Sequence, residues 1–247
     1  VTVGVGRPIV LLHGLFGAAR NFGALQRRLA THGRVLALDL RNHGRSPHAP
    51  GMDYDTQAAD VLETLQAADA LPCALIGHSM GGKTAMRLAL TAPEDVGRLL
   101  VSDIAPVRYE AGFRGYAEAM AGIDLSAGVT RAQLDAALSQ TVPDPSVRAF
   151  LLQNFVSGPH PHWRNGLAEI AAGLPDIENW PPIAAQYEGP TLFVAGGRSP
   201  YIKPEHRTLI QALFPKARMI TLHRAGHWVH VDDPEGFLSI AEAFVTS

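Results

Sequence analysis

The sequence predicts an α/β protein, a mostly parallel sheet with helices on both faces. Two patterns point there. Short, continuously apolar runs recur through the first hundred residues and again after residue 190. Between them lie stretches whose apolar residues stand three and four apart, the helical spacing. Strands apolar at every position are buried on both sides, as in a parallel sheet with helical crossovers. The chain has 247 residues, 47% of them apolar and 18% charged, so it can bury a large core without a disulfide or structural metal.

Residues 9–12 (Ile-Val-Leu-Leu) form the first strand, ending at His13-Gly14. A helix follows over 21–29, with Phe22, Leu25 and Leu29 on one face. Next come a strand over 35–40, a helix over 56–68 carrying Val61, Leu62 and Leu65, and a strand over 73–77. A helix over 81–91 leads to a strand over 99–104. From 107 to 186 no strand is expected. Helical stretches lie at 109–120, 131–139, 146–154 and 163–171, broken by Pro143, Pro145, Pro159, Pro161 and Pro175. The strand–helix alternation resumes with a strand at 191–195, a helix at 205–214, a strand at 219–222 and a helix at 235–244. Asp233-Pro234 opens that last helix as N-cap and first-turn proline. Residues 1–106 and 187–247 are therefore read as one core domain, and 107–186 as a helical lid inserted after the strand that ends at Asp103. Right-handed crossovers place all parallel strand C-termini on one edge, where ligands bind in such sheets.

Gly77-His78-Ser79-Met80-Gly81 matches G-x-S-x-G between a buried strand and a helix. The turn is too tight for side chains at the glycine positions, and it lifts the serine hydroxyl above the sheet at a helix N-terminus. That setting suits a nucleophile in acyl transfer. Lys83, one turn on, is expected to face solvent. Acyl transfer also needs two backbone N–H donors for the oxyanion. Met80, after the nucleophile, supplies one, and the loop His13-Gly14-Leu15-Phe16-Gly17 the other, through Leu15 in preference to Phe16. His13 itself is read as structural, bonding nearby backbone.

A serine needs an imidazole to take its proton. Of eleven histidines, His227 lies just past the last strand beside Gly226, with His230 as its local rival. His160 and His162 flank Pro161 without a carboxylate or cysteine pattern, so no metal site is expected, and no cofactor motif is present. The acid is irregular. The strand after the insertion runs into Gly196-Gly197-Arg198-Ser199, with no carboxylate before Glu205. Asp103 stands at the end of the strand that follows the elbow helix, and neighbouring strand ends can aim at one imidazole. Asp39 and Arg41 are read as a structural pair with Ser46, and Asp232 and Asp233 as caps of the final helix.

Together these motifs resemble the α/β-hydrolases, in particular the YbfF-type bacterial short-chain esterases and their mitochondrial relatives. The resemblance rests on His13–Gly17, Arg41-Asn42-His43-Gly44-Arg45-Ser46, the elbow through Lys83, Asp103-Ile104-Ala105-Pro106, Gly196-Gly197-Arg198-Ser199-Pro200-Tyr201 and Gly226-His227-Trp228-Val229-His230. It departs at the N-terminus, where the first strands of the common fold are shortened or missing, and in the variable lid. It implies the α/β-hydrolase fold and ester hydrolysis through an acyl-enzyme on Ser79. It also implies a relocated acid, Asp103, with a serine, Ser199, kept at the older acid position as a hydrogen-bonding auxiliary. Phe16, His78 and Trp228 are expected to border the substrate. From the lid, Phe113, Tyr116, Met120, Phe150, Leu151, Phe155, Trp163 and Trp180 divide between pocket and packing.

Serine at the elbow excludes the related dehalogenases and epoxide hydrolases, which use aspartate there. The expected substrate is a small, short-to-medium acyl ester. A thioesterase and a hydrolase-fold ligand receptor with little turnover are the alternatives. A net charge of −2 without a basic run argues against nucleic acid. No apolar stretch reaches the length of a membrane span. A single cysteine and the lack of a signal-peptide pattern make cytoplasm the expected compartment, with no obligate protein partner.

Overall fold

The computed structural model describes residues 1–110 and 112–247. Nine strands are described: β1 (Thr2–Val3), β2 (Pro8–Leu12), β3 (Arg34–Leu38), β4 (Cys73–His78), β5 (Val96–Ser102), β6 (Phe155–Val156), β7 (His162–Trp163), β8 (Thr191–Gly196) and β9 (Ala217–Leu222). Seven of them form one sheet in the order β1-β3-β2-β4-β5-β8-β9, with β6 and β7 in a separate ribbon. Every pairing in the large sheet is parallel except β1 with β3. Ten α-helices are found among the described residues: α1 (Gly23–Leu29), α2 (Tyr54–Ala67), α3 (Met80–Thr91), α4 (Arg114–Ala121), α5 (Arg131–Leu138), α6 (Pro145–Leu151), α7 (Leu167–Glu178), α8 (Arg207–Leu213), α9 (Val229–Asp232) and α10 (Pro234–Thr246).

Strand alternation divides the core between two faces. Val10 and Leu12 of β2 join the cluster that takes Val61 and Leu65 of α2 and Met86 and Ala89 of α3. Ile9 and Leu11 point the other way, to Leu25 and Leu29 of α1 and Phe237 and Leu238 of α10. These four β2 residues are essentially inaccessible. Burying each such side chain stabilises the fold by about 1.5–3 kcal/mol. This is why the β2 run carries no polar residue.

Register decides where the loops meet. Leu12 lies opposite Gly77, His78 opposite Ser102, Ser102 opposite Val194, and Gly196 opposite Leu222. The segments after β2, β4, β5, β8 and β9 therefore leave the sheet side by side at one rim. The strand order also reverses at β2, with β3 on one side and β4 on the other, which opens a crevice at that rim.

Between 107 and 186 the structure departs from sequence expectation. Phe155 and Val156 pair with Trp163 and His162, a ribbon too short to carry any periodic signal. Part of the helix expected over 109–120 is absent, because Tyr109 is tied elsewhere: its N–H donates to the Glu178 carbonyl and its hydroxyl to the Tyr201 carbonyl. Residue 111, inside that expected helix, lies outside the described residues. Helix α7 begins four residues later than expected and runs through Pro175 rather than stopping there. Buried Leu174 and Ile177 on either side of the proline hold it against the core and offset the missing backbone hydrogen bond. No helix among the described residues is long and apolar enough to cross a membrane.

Candidate active site

Ser79 sits in a turn between β4 and α3 with φ +53° and ψ −121°, a backbone region costly for any residue with a side chain. The chain holds that strain through its neighbours. The Ser79 N–H donates to the Ser102 carbonyl at 3.0 Å, and the Ser79 carbonyl accepts from Lys83 N–H at 3.0 Å. A Cβ on Gly77 would stand 2.2 Å from the Gly81 oxygen, and one on Gly81 would stand 2.4 Å from the Leu12 oxygen. Only glycines let the turn close this tightly. The free N–H groups and positive dipole end of α3 face the hydroxyl.

His227, in the segment after β9, brings Nε2 to 3.0 Å from Ser79 Oγ and Nδ1 to 2.7 Å from Asp103 Oδ2. An ionised carboxylate only accepts, so Nδ1 carries the proton and Nε2 is free to accept from the serine. Asp103 is fully buried, at φ +51° just past β5. Its Oδ1 accepts from Gly196 N–H at 2.9 Å, and its Oδ2 accepts from both His227 and the Ser199 hydroxyl. Three donors take the place of the water the carboxylate has lost. Ser199 Oγ in turn accepts from Tyr201 N–H at 3.3 Å. The ring of Tyr201 stacks on His227, 4.1 Å between centroids and 22° between planes.

The loop after β2 is braced by two histidines. Leu40 N–H donates to His13 Nε2 at 3.0 Å and Phe16 N–H to His43 Nε2 at 3.0 Å, so both rings carry their proton on Nδ1. Those protons go to the carbonyls of Gly14 and Arg41, each at 2.8 Å. Burial pulls His13 down to about 4 and His43 to about 3, and both stay neutral. His13 thus bonds nearby backbone, as its position suggested. Because His43 takes the Phe16 N–H, that amide is already engaged, whereas the Leu15 N–H has no protein acceptor among the described residues.

A cavity of about 200 Å³ opens beside Ser79 and His227. Phe16, His78 and Trp228 line it, together with Phe113, Tyr116, Phe150 and Leu151 from the insertion. The other aromatic and sulfur side chains of the insertion singled out by sequence pack elsewhere. Trp163 donates Nε1–H to the Met120 carbonyl at 2.8 Å and meets Phe155, while Trp180 lies against Tyr54. Phe22 and Tyr201 line the cavity without having been singled out. Tyr201 had a usable signal, two residues past Ser199; Phe22 did not, since it reads as one more core residue of a helix. No other histidine among the described residues hydrogen-bonds Ser79. His230 lies against His78, Phe22 and Phe237, pulled down to about 4 by burial, and His162 is exposed in β7. Asp233 caps α10 through Gly236 N–H, while Asp232 instead accepts from Gly226 N–H at 2.7 Å beside His227.

Two more expectations are corrected. Lys83 does not face solvent: it is 1% exposed. Its Nζ donates to the Asn179 carbonyl at 2.8 Å, and to those of Glu178 and Ile177 at 3.3 and 3.5 Å, at the C-terminus of α7. The rings of Tyr54 and Tyr109 lie 5.3 and 4.9 Å away. A helix end whose last carbonyls need donors draws the ammonium inward. Burial pulls its pKa down to about 7 against the pull of Glu178. Arg41 pairs with Asp60, at 2.5 and 2.7 Å, and not with Asp39. Asp39 accepts from Ala19 N–H and Arg45 N–H, and Ser46 donates to its backbone carbonyl.

The alpha/beta hydrolase family model matches residues 9–240, nearly the whole chain. The chain belongs to the α/β-hydrolase family. This hydrolase is 42% identical over 246 residues to the sn-1-specific diacylglycerol lipase of Mus musculus, covering 96% of this chain and 80% of that one. It is 40% identical over 234 residues to esterase YbfF of Escherichia coli K12, covering 94% and 90%. A solved marine microorganism esterase superposes with a TM-score of 0.95 at 33% identity, covering 99% of this chain and 97% of that one.

Proposed function

We propose that the protein is a carboxylesterase-type serine hydrolase that cleaves small esters through an acyl-enzyme on Ser79. The observation that carries this reading is the chain of hydrogen bonds from Ser79 Oγ through His227 to buried Asp103, 3.0 and 2.7 Å long. The relatives named as esterases and lipases support it from sequence. Residues 107–186 act as a cap on the core formed by 1–106 and 187–247, since their side chains wall the cavity over Ser79.

In this reading His227 Nε2 takes the Ser79 proton as Oγ attacks the ester carbonyl. The carbonyl oxygen becomes an oxyanion held by the N–H groups of Leu15 and Met80. His227, now doubly protonated, is stabilised by Asp103 and gives its proton to the departing alkoxide. The acyl-enzyme is then opened by a water that His227 activates in the same way. Ser199 and Gly196 N–H keep the second carboxylate lone pairs occupied, so Asp103 is held in one orientation. No step in this sequence calls on a metal or cofactor.

Incubation with p-nitrophenyl acetate tests the reading. Steady release of nitrophenolate is expected, and Ser79→Ala should lower kcat by at least about a thousandfold, as loss of a nucleophile does. Stoichiometric binding without release, or unchanged turnover in Ser79→Ala, would overturn it.

A further inference from the structure

The cavity beside His227 is not the only space next to Ser79. A second, small chamber of about 20 Å³ opens behind it, lined by Met80, Ile104, Tyr109 and Ile177 and floored by Tyr54 and Lys83. Ser79, Leu15, Phe113 and Tyr201 border both spaces, while His227 borders only the larger one and Met80 only the smaller. The serine thus stands on the divide between two unequal chambers.

The proposed reaction assigns a direction to each. The departing oxygen must reach the proton on His227 Nε2, so the alcohol portion of an ester lies on the His227 side. The carbonyl oxygen points at the amides of Leu15 and Met80. The remaining substituent of the tetrahedral carbon, the acyl group, is left to point away from His227. The small chamber, which Ser79 borders and His227 does not, is the space left for it. We infer that the small chamber is the acyl site and the larger cavity the alcohol site, so that the substrates are acetyl or propionyl esters of bulky, apolar alcohols. The inference rests on Ser79 being the nucleophile of an ester hydrolase.

Size and stiffness both matter. A volume of about 20 Å³ admits about one water-sized group, hence one methyl. The walls cannot easily retreat, because most of the polar ones are tied. Tyr54 donates its hydroxyl proton to the Ile177 carbonyl at 2.5 Å, and Tyr109 donates to the Tyr201 carbonyl at 2.6 Å while accepting from Ala105 N–H at 2.9 Å. Lys83 is anchored to the end of α7, so its ammonium is spent on carbonyls and not offered to a ligand. The opposite chamber holds about 200 Å³ and is walled by Phe22, Tyr116, Phe150 and Trp228, surfaces suited to a ring or branched alkyl group.

Two substrate series on the intact protein test this. In the first, p-nitrophenol is kept and the acyl group lengthened from acetyl to butyryl, hexanoyl and octanoyl. In the second, acetate is kept and the alcohol enlarged from methyl to benzyl and naphthylmethyl. We expect kcat/KM to fall at least tenfold between acetyl and hexanoyl, and to hold or rise along the alcohol series. Ile177→Ala removes wall without touching the backbone carbonyl that Tyr54 and Lys83 use, and should move the best acyl length from acetyl to butyryl. Ile177→Val, which keeps more of the packing, should raise the butyryl-to-acetyl ratio in the same direction by less. A Ser79-dependent preference for hexanoyl or octanoyl over acetyl, or folded Ile177 variants with an unchanged acyl profile, overturns the inference and leaves ester hydrolysis standing. Turnover of neither series, with no labelling of Ser79 by a fluorophosphonate, overturns both.

Discussion

The two sides of His227 are built on opposite electrostatic terms. Toward β5 and β8 it meets a buried carboxylate, Asp103, kept in place by the Gly196 amide and the Ser199 hydroxyl. Toward β2 and β4 it meets the Ser79 hydroxyl and, among ionisable rings, imidazoles: His78 at 4.8 Å, with His230 behind it and His13 and His43 bracing the loop beyond. Burial pulls His78 well below the usual range, and its neighbours His227 and His230 push it further. The difference teaches what keeps a charge in a dry site. Asp103 gathers three donors, whereas each buried histidine has at most backbone groups and other rings, so it stays neutral. His227 is thereby given one charged neighbour, on the side where Nδ1 needs it.

The hardest test of this asymmetry removes the charge. Asp103→Asn keeps the size of the side chain but turns a donor toward Nδ1, and kcat should fall about 10⁴-fold, as in serine triads. Near-normal turnover in single-turnover and steady-state assays would place the essential acid elsewhere. A second test moves the charge to the neighbouring strand end. The double substitution Asp103→Asn with Ser199→Asp should recover about 10- to 100-fold of the lost kcat, because residue 199 sits within hydrogen-bond reach of the same carboxylate oxygen. If it does no better than Asp103→Asn alone, the end of β8 does not address His227. Ser199→Ala is the milder cut. Losing one hydrogen bond to a charged group costs about 1.5–3 kcal/mol, so kcat should drop about 10- to 100-fold with KM little changed. A rise in KM with kcat intact would make Ser199 a substrate contact instead.

The neutral side is broken by acid. His13 and His230 are pulled down to about 4 and His43 to about 3 in the fold, while the same side chains in the unfolded chain protonate near 6.5. Between those values the unfolded state binds more protons. Stability is therefore complete above about pH 6.5 and is lost as pH falls toward 4, by about 1.4 kcal/mol per pH unit for each such imidazole. Urea unfolding at pH 7, 5.5 and 4.5 measures the slope. A slope shallower than that of one imidazole would mean these rings accept protons without unfolding.

Much of this was readable in the chain. The runs at 9–12 and 192–195 are apolar at every position, as a doubly covered sheet requires, and G-x-S-x-G after such a run marks the elbow. The pairing of Asp103 with His227 was readable too, since the β8 end offers no carboxylate and the β5 end does. The resemblance to known esterases supplied the role proposed for Ser199. What failed shares one cause. Lys83 is drawn inward by carbonyls of a helix ninety-odd residues away, and Arg41 chooses Asp60 over the nearer Asp39. Pro175 is carried inside α7 by packing on either side of it. The ribbon of β6 and β7 exists only because a tertiary setting holds two-residue strands together.

Local chemistry settled what the sequence alone determined: which runs are strands, which turn needs glycines, and which residue types lie near the rim. The tertiary structure decided which of the eleven histidines meets the serine, where a lone ammonium goes, and that the space around Ser79 is split unequally. Those outcomes depend on strand register and on distant partners. A side chain's protonation, its direction and the volume it leaves are set by whatever packs against it, and periodicity carries no record of that.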